Sequence, residues 1–241
     1  MSSLGTYSNS DELNLTLAQR LTETADDYSL QLRFNNNSGD IFRQLIRALF
    51  KRYGHVVVLI DEYDKPILDN IFDFKNVNDM REILRSFYTV LKGCDEYLRF
   101  VLITGISKFS KMGVFSAMNN LEDISMDKRF ADITGYTQSE LEYYFADWLN
   151  AAANVMNISH DELLVRLKNY YDGFSFDGRT RLYNPFSILQ CLNKGELRNY
   201  WYTSGSPTFI VKYMKEHQIS DPEEYRHIEV SSDFADTHEI E

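Results

Sequence analysis

The pattern of apolar and polar positions divides the first half of the chain into helical stretches and two short apolar runs. Apolar residues recur at helical spacing in residues 11–33, 41–50 and 76–92. Residues 55–60 and 97–103 are instead continuous apolar runs without alternation. Such runs are typical of strands in a parallel sheet that is covered by helices on both faces. The order of helix, strand, helix and strand therefore predicts an α/β fold.

The two apolar runs are predicted to form adjacent parallel strands over residues 55–60 and 99–103. A helical crossover joins them, and such a connection usually places consecutive strands side by side. Asp61 and Thr104 directly follow the two runs, so both are expected at the same edge of the sheet. Residues 121–126 form a weaker candidate for a third strand.

The second half of the chain has the signals of a small, mostly helical subdomain that carries a hairpin. Residues 137–140 and 159–162 both fit the capping-box pattern that begins many helices. Asn184 followed by Pro185 is typical of a further helix start. Residues 174–183, which lie between these helices, have the pattern of a hairpin. Residues 1–136 are thus predicted to be the α/β core, residues 137–217 the helical subdomain, and residues 218–241 an acidic tail.

The charge of the chain argues against a nucleic-acid partner. The chain has 25 basic and 36 acidic residues, which gives a net charge of −11. Residues 221–241 hold eight acids and one arginine, so −7 of that charge lies in the tail. A nucleic-acid-binding protein needs a basic surface to neutralise phosphates, and none is evident in this composition.

Cysteine usage and the N-terminal sequence predict a cytoplasmic protein. Cys94 and Cys191 have no metal-ligand spacing and are expected to be buried thiols in a reducing compartment. The residues that follow Met1 lack the basic and apolar segments of a signal peptide. No apolar run is long enough to span a bilayer, so no contact with a membrane is expected.

The candidate catalytic residues are Asp61 and Glu62, which end the first apolar run. A parallel strand brings its C-terminal end to the ligand-binding edge of the sheet. Asp61 would there hold the Mg²⁺ of a bound nucleotide through water. Glu62 would polarise the attacking water as general base. An acid in this position can equally cap the next helix, and the short pattern alone leaves both roles open.

Longer strings of residues around this pattern resemble the AAA-ATPase-like family. This is a group of bacterial P-loop proteins that often carry a PD-(D/E)XK nuclease domain downstream. The strings occur in family order over nearly the whole chain, at residues 58–67, 87–92, 100–110, 119–125, 171–176, 183–186 and 201–209. The resemblance implies part of a P-loop NTPase sheet of the ASCE or AAA-like type, with Mg²⁺ and ATP as cofactors.

The same resemblance implies roles for individual residues. Asp61 is the Mg²⁺-side acid of the Walker B strand, and Glu62 is the water-activating acid. Thr104 takes the sensor-1 position, where its hydroxyl would hydrogen-bond the attacking water or the terminal phosphate. Capping the strand end is the alternative role for that hydroxyl.

Other charged residues near these strings are weaker candidates. Asp64 and Lys65 are expected to pair locally and to position the turn at Pro66. Three basic residues are candidates for contacting a nucleotide phosphate or a neighbouring subunit, with a solvated charge as the alternative for each: Lys108, Lys111 and Arg129.

The sequence departs from the family pattern because it contains no Gly-Lys-Ser phosphate loop. That loop holds phosphates with backbone N–H groups and its lysine, and none of the 11 glycines here is followed by lysine. The match begins only near residues 4–12, so we interpret Met1 as an internal start and the chain as truncated at its N-terminus. The chain alone is therefore expected to bind no Mg-ATP and to be inactive.

Two other functions are compatible with the sequence. A Mg²⁺-dependent nuclease would use Asp61, Glu62 and Asp64 as a carboxylate cluster, although the acidic charge balance opposes it. A non-enzymatic interaction module would instead use the helical residues 137–217 to bind a partner protein. Self-association is also expected, through an unpaired edge of the strand at residues 100–103.

Overall fold

The computed structural model of the protein describes residues 7–70, 73–105 and 120–200. The chain divides into two compact units, the first continuing to Glu122 and the second beginning at Asp123. Residues 123–136, which the sequence groups with the α/β core, thus lie in the second unit. The described part of each unit is mainly helical and contains one two-stranded sheet. The fold is therefore mixed α/β, with a small parallel sheet in its first unit.

The first unit consists of helices packed against one face of the parallel strand pair. Its elements are α1 (Ser10–Asp27), α2 (Ser38–Tyr53), β1 (Val56–Ile60), α3 (Lys65–Leu68), α4 (Phe74–Gly93), a 3-10 turn (Asp95–Tyr97) and β2 (Leu98–Ile103). The side chains of Asn9, Asn37 and Asp73 each accept a backbone N–H in the first turn of a helix, which satisfies groups that the helix leaves unpaired. Three long helices therefore begin where a short polar side chain can cap them.

Helix α1 is shorter than its apolar pattern suggested. It ends at Asp27 rather than continuing to residue 33, because Ser29 adopts a left-handed conformation with φ 53°. The N–H of Leu30 then bonds to the carbonyl of Ala25, and that of Ser29 bonds to the carbonyl of Asp26. This pair of bonds is a Schellman motif, which closes a helix without glycine at some conformational cost.

The two apolar runs form the parallel strand pair that the sequence predicted. Val57 of β1 pairs with Phe100 of β2, and Ile60 pairs with Ile103. One face of the pair packs on the core formed by α1, α2 and α4, with Val56, Val58, Ile60, Leu98, Val101 and Ile103 turned toward it. Adjacency and parallel direction are therefore confirmed.

The expectation that helices cover both faces of this sheet is wrong for the described part of the chain. Val57, Leu59 and Phe100 are all exposed, and Leu59 is 68% accessible to solvent. Successive residues of a strand point to opposite faces, so these side chains share the face that the core does not cover. Because both faces are apolar, the sequence pattern could not show which of them is covered.

The third strand proposed for residues 121–126 is also not formed: residues 121–124 are irregular and residues 125–126 lie in a turn. The Asp123 side chain accepts the N–H of Ser125 at 3.0 Å. Such a local bond gives the backbone an alternative to a strand ladder. Leu121 packs on the core of the first unit, whereas the residues from Asp123 onward belong to the second.

The second unit contains the helices and hairpin that the sequence predicted. Its elements are α5 (Gln138–Tyr144), α6 (Ala146–Met156), α7 (His160–Tyr171), β3 (Asp172–Phe174), β4 (Leu182–Tyr183) and α8 (Pro185–Lys194). Thr137 forms both bonds of a capping box with Glu140, whereas Ser159 accepts the N–H of Glu162 as a simple cap. Asn184 caps α8 as expected, and β3 pairs with β4 in antiparallel direction.

Both cysteines are free and buried, as the sequence predicted. Burial raises the pKa of the Cys191 thiol to about 11 and also raises the pKa of Cys94. A thiol that stays protonated is a poor nucleophile and a poor metal ligand. Within the described ranges, no helix has both the length and the apolar character needed to cross a bilayer.

Candidate functional site

The candidate site lies at the C-terminal edge of the β1–β2 pair, where two short segments leave the sheet together. The N–H of Thr104 donates to the carbonyl of Ile60 at 2.8 Å, and the N–H of Tyr63 donates to the carbonyl of Thr104 at 2.9 Å. These bonds continue the contact between the two strands beyond the sheet itself. The residues after β1 are thereby held against the residues after β2.

Asp61 and Thr104 meet at this edge. The Thr104 hydroxyl Oγ1 donates a hydrogen bond of 2.5 Å to Asp61 Oδ1. Both residues are exposed to solvent, so a bound ion can approach the carboxylate. Because the hydroxyl donates to Asp61, its position here fits a residue that orients the carboxylate.

Glu62 has the most unusual backbone at the site. Its φ is 52°, a left-handed conformation that it shares with Ser29 and Asn157 among the described non-glycine residues. A bulky residue in this region costs roughly 1–3 kcal/mol, and such strain is often found at functional sites. Glu62 Oε2 is also buried, with no hydrogen-bond partner in the described part of the chain. A buried carboxylate oxygen of this kind suits a role that an added ion or water would complete.

A tightly packed group of residues lies behind the two acids. Tyr63 and Asp64 are buried, and Gly105 approaches both so closely that a Cβ atom there would lie 2.5 Å from the Tyr63 ring and 2.8 Å from Asp64 Oδ1. The buried Tyr88 of α4 donates its hydroxyl to the Tyr63 carbonyl at 3.3 Å. Tyr63 is therefore fixed by its ring and by both of its backbone polar groups, which anchors the residue next to Glu62.

The sequence predicted a local pair between Asp64 and Lys65, but Lys65 pairs with Asp69 instead. Lys65 Nζ lies 3.2 Å from Asp69 Oδ2, one helical turn further on. Asp64 instead precedes α3, and its carbonyl accepts the N–H of Ile67 and of Leu68, each at 3.0 Å. The pairing shifts because α3 places residues four apart on the same side of the chain.

The remaining basic candidates lie outside the part of the first unit that the structure describes. Lys108 and Lys111 lie outside the described residues. Arg129 belongs to the second unit, where its guanidinium forms an ion pair with Asp127 and lies 5.3 Å from the centre of the Phe130 ring. In the described part of the chain, no three His, Cys, Asp or Glu residues gather as metal ligands. The carboxylate cluster of the nuclease hypothesis therefore has no support here.

Sequence reasoning missed Tyr88 and Gly105. Tyr88 lies on the apolar side of α4, so its position marked it only as a core residue. Gly105 directly follows Thr104, and a glycine after a strand commonly marks a close approach of two backbones. That signal was present in the sequence, but the partner of the approach could only be identified once the segments were placed.

Comparisons with known proteins support the family resemblance for the N-terminal part of the chain. Residues 2–115 match the AAA-ATPase-like family model, described as "Predicted AAA-ATPase". A protein of Azotobacter chroococcum mcd 1, "Uncharacterized protein in vnfD 5'region", is 40% identical over 182 residues, which are 75% of this chain and 33% of that protein. The chain thus spans about a third of that relative's length. No solved structure matches the chain.

Proposed function

Because residues 2–115 match the predicted AAA-ATPase family, we propose that the edge formed by Asp61, Glu62 and Thr104 is the acidic, Mg²⁺-binding part of an ATPase centre. The observation that carries the proposal is the hydrogen bond from Thr104 to Asp61 beside a strained, incompletely bonded Glu62. Two neighbouring parallel strands deliver these groups to one edge. That is the edge at which open α/β sheets bind ligands.

The residues present fit a magnesium ion. Mg²⁺ is usually bound by one or two carboxylates together with waters and substrate phosphates, rather than by a cage of protein ligands. Asp61 supplies an exposed carboxylate that Thr104 holds in place, and Glu62 supplies an oxygen with no hydrogen-bond partner among the described residues. A bound Mg²⁺ would neutralise the negative charge that develops on the phosphates.

Glu62 is the proposed general base. It directly follows the metal-side acid in the chain, and its half-buried position shields it from bulk water. A base that polarises water must be held within hydrogen-bond reach of it. The anchoring of Tyr63 by Thr104, Tyr88 and Gly105 limits where the preceding Glu62 can move. These neighbours are positioning residues, because none of them needs to touch the substrate.

Metal binding is the direct test of this proposal. Titration with Mn²⁺ as a paramagnetic probe should show one saturable site, and excess Mg²⁺ should displace the probe. Asp61→Asn should abolish that site, and Thr104→Val should weaken it about tenfold, as expected when a ligand loses its orienting partner. Asp26→Asn, an exposed acid on α1, is the matched control and should leave the site intact. A site that survives Asp61→Asn would contradict the proposal.

ATP turnover by this chain is expected to be undetectable, because the sequence contains no Gly-Lys pair. Phosphoryl transfer depends on positioning and on stabilisation of charge. The acidic edge would supply metal and base, but no phosphate loop holds the β- and γ-phosphates. Calorimetry with Mg-ATP and a phosphate-release assay provide the measurement. Micromolar binding, or turnover that Glu62→Gln abolishes, would show that other residues hold the phosphates.

A second function, as a protein-interaction module, is favoured by a different observation. The second unit exposes large aromatic side chains on α5 and α6, whereas the residues of the acidic edge belong to the first unit. The two functions are compatible in one chain, because they use different units.

A further inference from the structure

Helices α5 and α6 carry four exposed apolar side chains, here called the aromatic face: Tyr143, Tyr144, Trp148 and Val155. Tyr143 is 79% exposed and Trp148 is 58% exposed. Trp148 and Val155 are seven residues apart in α6, a spacing that places both on one side of that helix. The Tyr143 and Tyr144 rings contact each other edge to face, with centroids 5.0 Å apart. Exposed apolar groups of this size on a soluble domain usually mark a binding surface.

The fold holds this face outward. Leu141, Leu149 and Ala152 on the same helices are buried in the core of the second unit, so the helices cannot turn to bury the aromatic face without exposing these residues. Val155 sits against the end of α8, where a Cβ atom on Gly195 would lie only 2.6 Å from its Cγ1. The aromatic face is therefore a rigid surface, which lowers the entropy cost of binding.

The charged side chains that α5 and α6 themselves contribute are all acidic. Residues 137–157 contain Glu140, Glu142 and Asp147 but no lysine, arginine or histidine. Glu140 is engaged in the capping box of α5, and Glu142 accepts a hydrogen bond from Gln138. Asp147 is exposed next to Trp148. Negative charge beside an apolar surface repels nucleic-acid phosphates and anionic lipids and attracts cationic partners.

We propose that the aromatic face binds an amphipathic, basic helix of a partner protein. Its apolar side would pack on Trp148 and the neighbouring tyrosines, and its lysines or arginines would lie near Glu142 and Asp147. Tryptophan and tyrosine are the residues that most often carry the binding energy of an interface. Recognition of an amphipathic helix by its apolar residues, spaced three and four apart, is a common mode of binding. This interaction is independent of the ATPase proposal, since it uses no residue of the acidic edge.

The test uses the full chain and a fluorescent synthetic helix of leucine and lysine, with leucines spaced three and four residues apart. Fluorescence anisotropy should show saturable binding that weakens as salt is added, because surface charges are screened. Trp148→Ala should weaken binding at least about tenfold, as expected for a central aromatic anchor. Asp147→Lys should weaken it as well. Val165→Ala removes a similarly exposed apolar side chain from α7, where Val165 is 60% exposed, and should change nothing.

Several results would overturn the proposal. Equal losses for Trp148→Ala and Val165→Ala would show that the peptide binds without using this face. If a leucine–glutamate helix bound as tightly as the leucine–lysine helix, the acidic residues beside the face would not select a basic partner. Acrylamide quenching of tryptophan fluorescence in the parent and in Trp148→Phe measures how accessible Trp148 is. A Trp148 that acrylamide cannot reach would show that the chain itself already covers the face. A change of sedimenting mass in Trp148→Ala would identify a second copy as the occupant.

Discussion

Replacing Gly105 with alanine is expected to destabilise the first unit by about 1–3 kcal/mol, the cost of forcing an extra methyl group into a well-packed site. The new Cβ atom would lie 2.5 Å from one Tyr63 ring carbon and 2.6 Å from another, with Asp64 Oδ1 at 2.8 Å. Tyr63 cannot move away freely, because its N–H donates to Thr104 and its carbonyl accepts from Tyr88. The strain must therefore spread into the backbone that carries Asp61 and Glu62.

Urea unfolding followed by far-UV circular dichroism measures this effect. Gly93→Ala is the matched control, because it makes the same change in the same unit at a position where a Cβ atom meets nothing within 4 Å. Alanine in place of a helical glycine is expected to be neutral or to stabilise by up to about 1 kcal/mol. If both variants unfold at the same urea concentration, the packing assigned to Gly105 is wrong.

The candidate site has two layers of residues: the acids with Thr104 at the edge, and the packed group around Tyr63 behind them. Two variants distinguish what each layer contributes to metal binding. Gly105→Ala should also weaken Mn²⁺ binding, since a displaced Tyr63 disturbs the bond that holds Thr104 beside Asp61. Thr104→Val should weaken the same site with little change in stability, because it leaves the packing behind the acids intact. If both variants weaken Mn²⁺ binding, metal binding depends on residues outside the short acidic motif. The motif alone is then a weak predictor of a metal site.

The parallel strand pair and its acidic edge could be predicted because independent signals agreed. Continuous apolar runs indicated the strands, and the helix between them required a crossover. The C-terminal ends of both runs therefore had to meet, which places Asp61 near Thr104 from the sequence pattern alone. The left-handed backbone of Glu62 could not be predicted in this way. The next residue, Tyr63, is anchored by Tyr88 and Gly105, which are distant in sequence.

The failures of the sequence pattern have equally specific causes. The apolar spacing of α1 carried no information about the turn at Ser29, where backbone bonds and not side chains end the helix. Residues 121–126 contain enough apolar residues for a strand, but the side chain of Asp123 bonds locally and favours a turn. Periodicity describes which side chains are apolar, and it says little about backbone bonds of this kind.

Self-association through the β1–β2 pair is the last expectation, and it has a large predicted effect. Val57, Leu59 and Phe100 form an exposed apolar face, and in the described part of the chain each strand has only the other as its neighbour. Strands with open edges and apolar faces readily pair with another chain. We propose that a second copy of this protein covers the pair. Sedimentation velocity should therefore show a mass that rises with protein concentration.

Leu59→Lys should shift this equilibrium strongly toward the monomer. Burying a leucine side chain contributes about 1.5–3 kcal/mol, so its loss alone should raise the dissociation constant at least about tenfold, and an added lysine on a strand further opposes pairing. Leu15→Lys is the matched control, because it introduces the same charge at an exposed leucine on α1 of the same unit. A parent chain that stays monomeric at all concentrations would contradict the proposal. Equal dissociation of both variants would show that added charge, and not the sheet face, governs association.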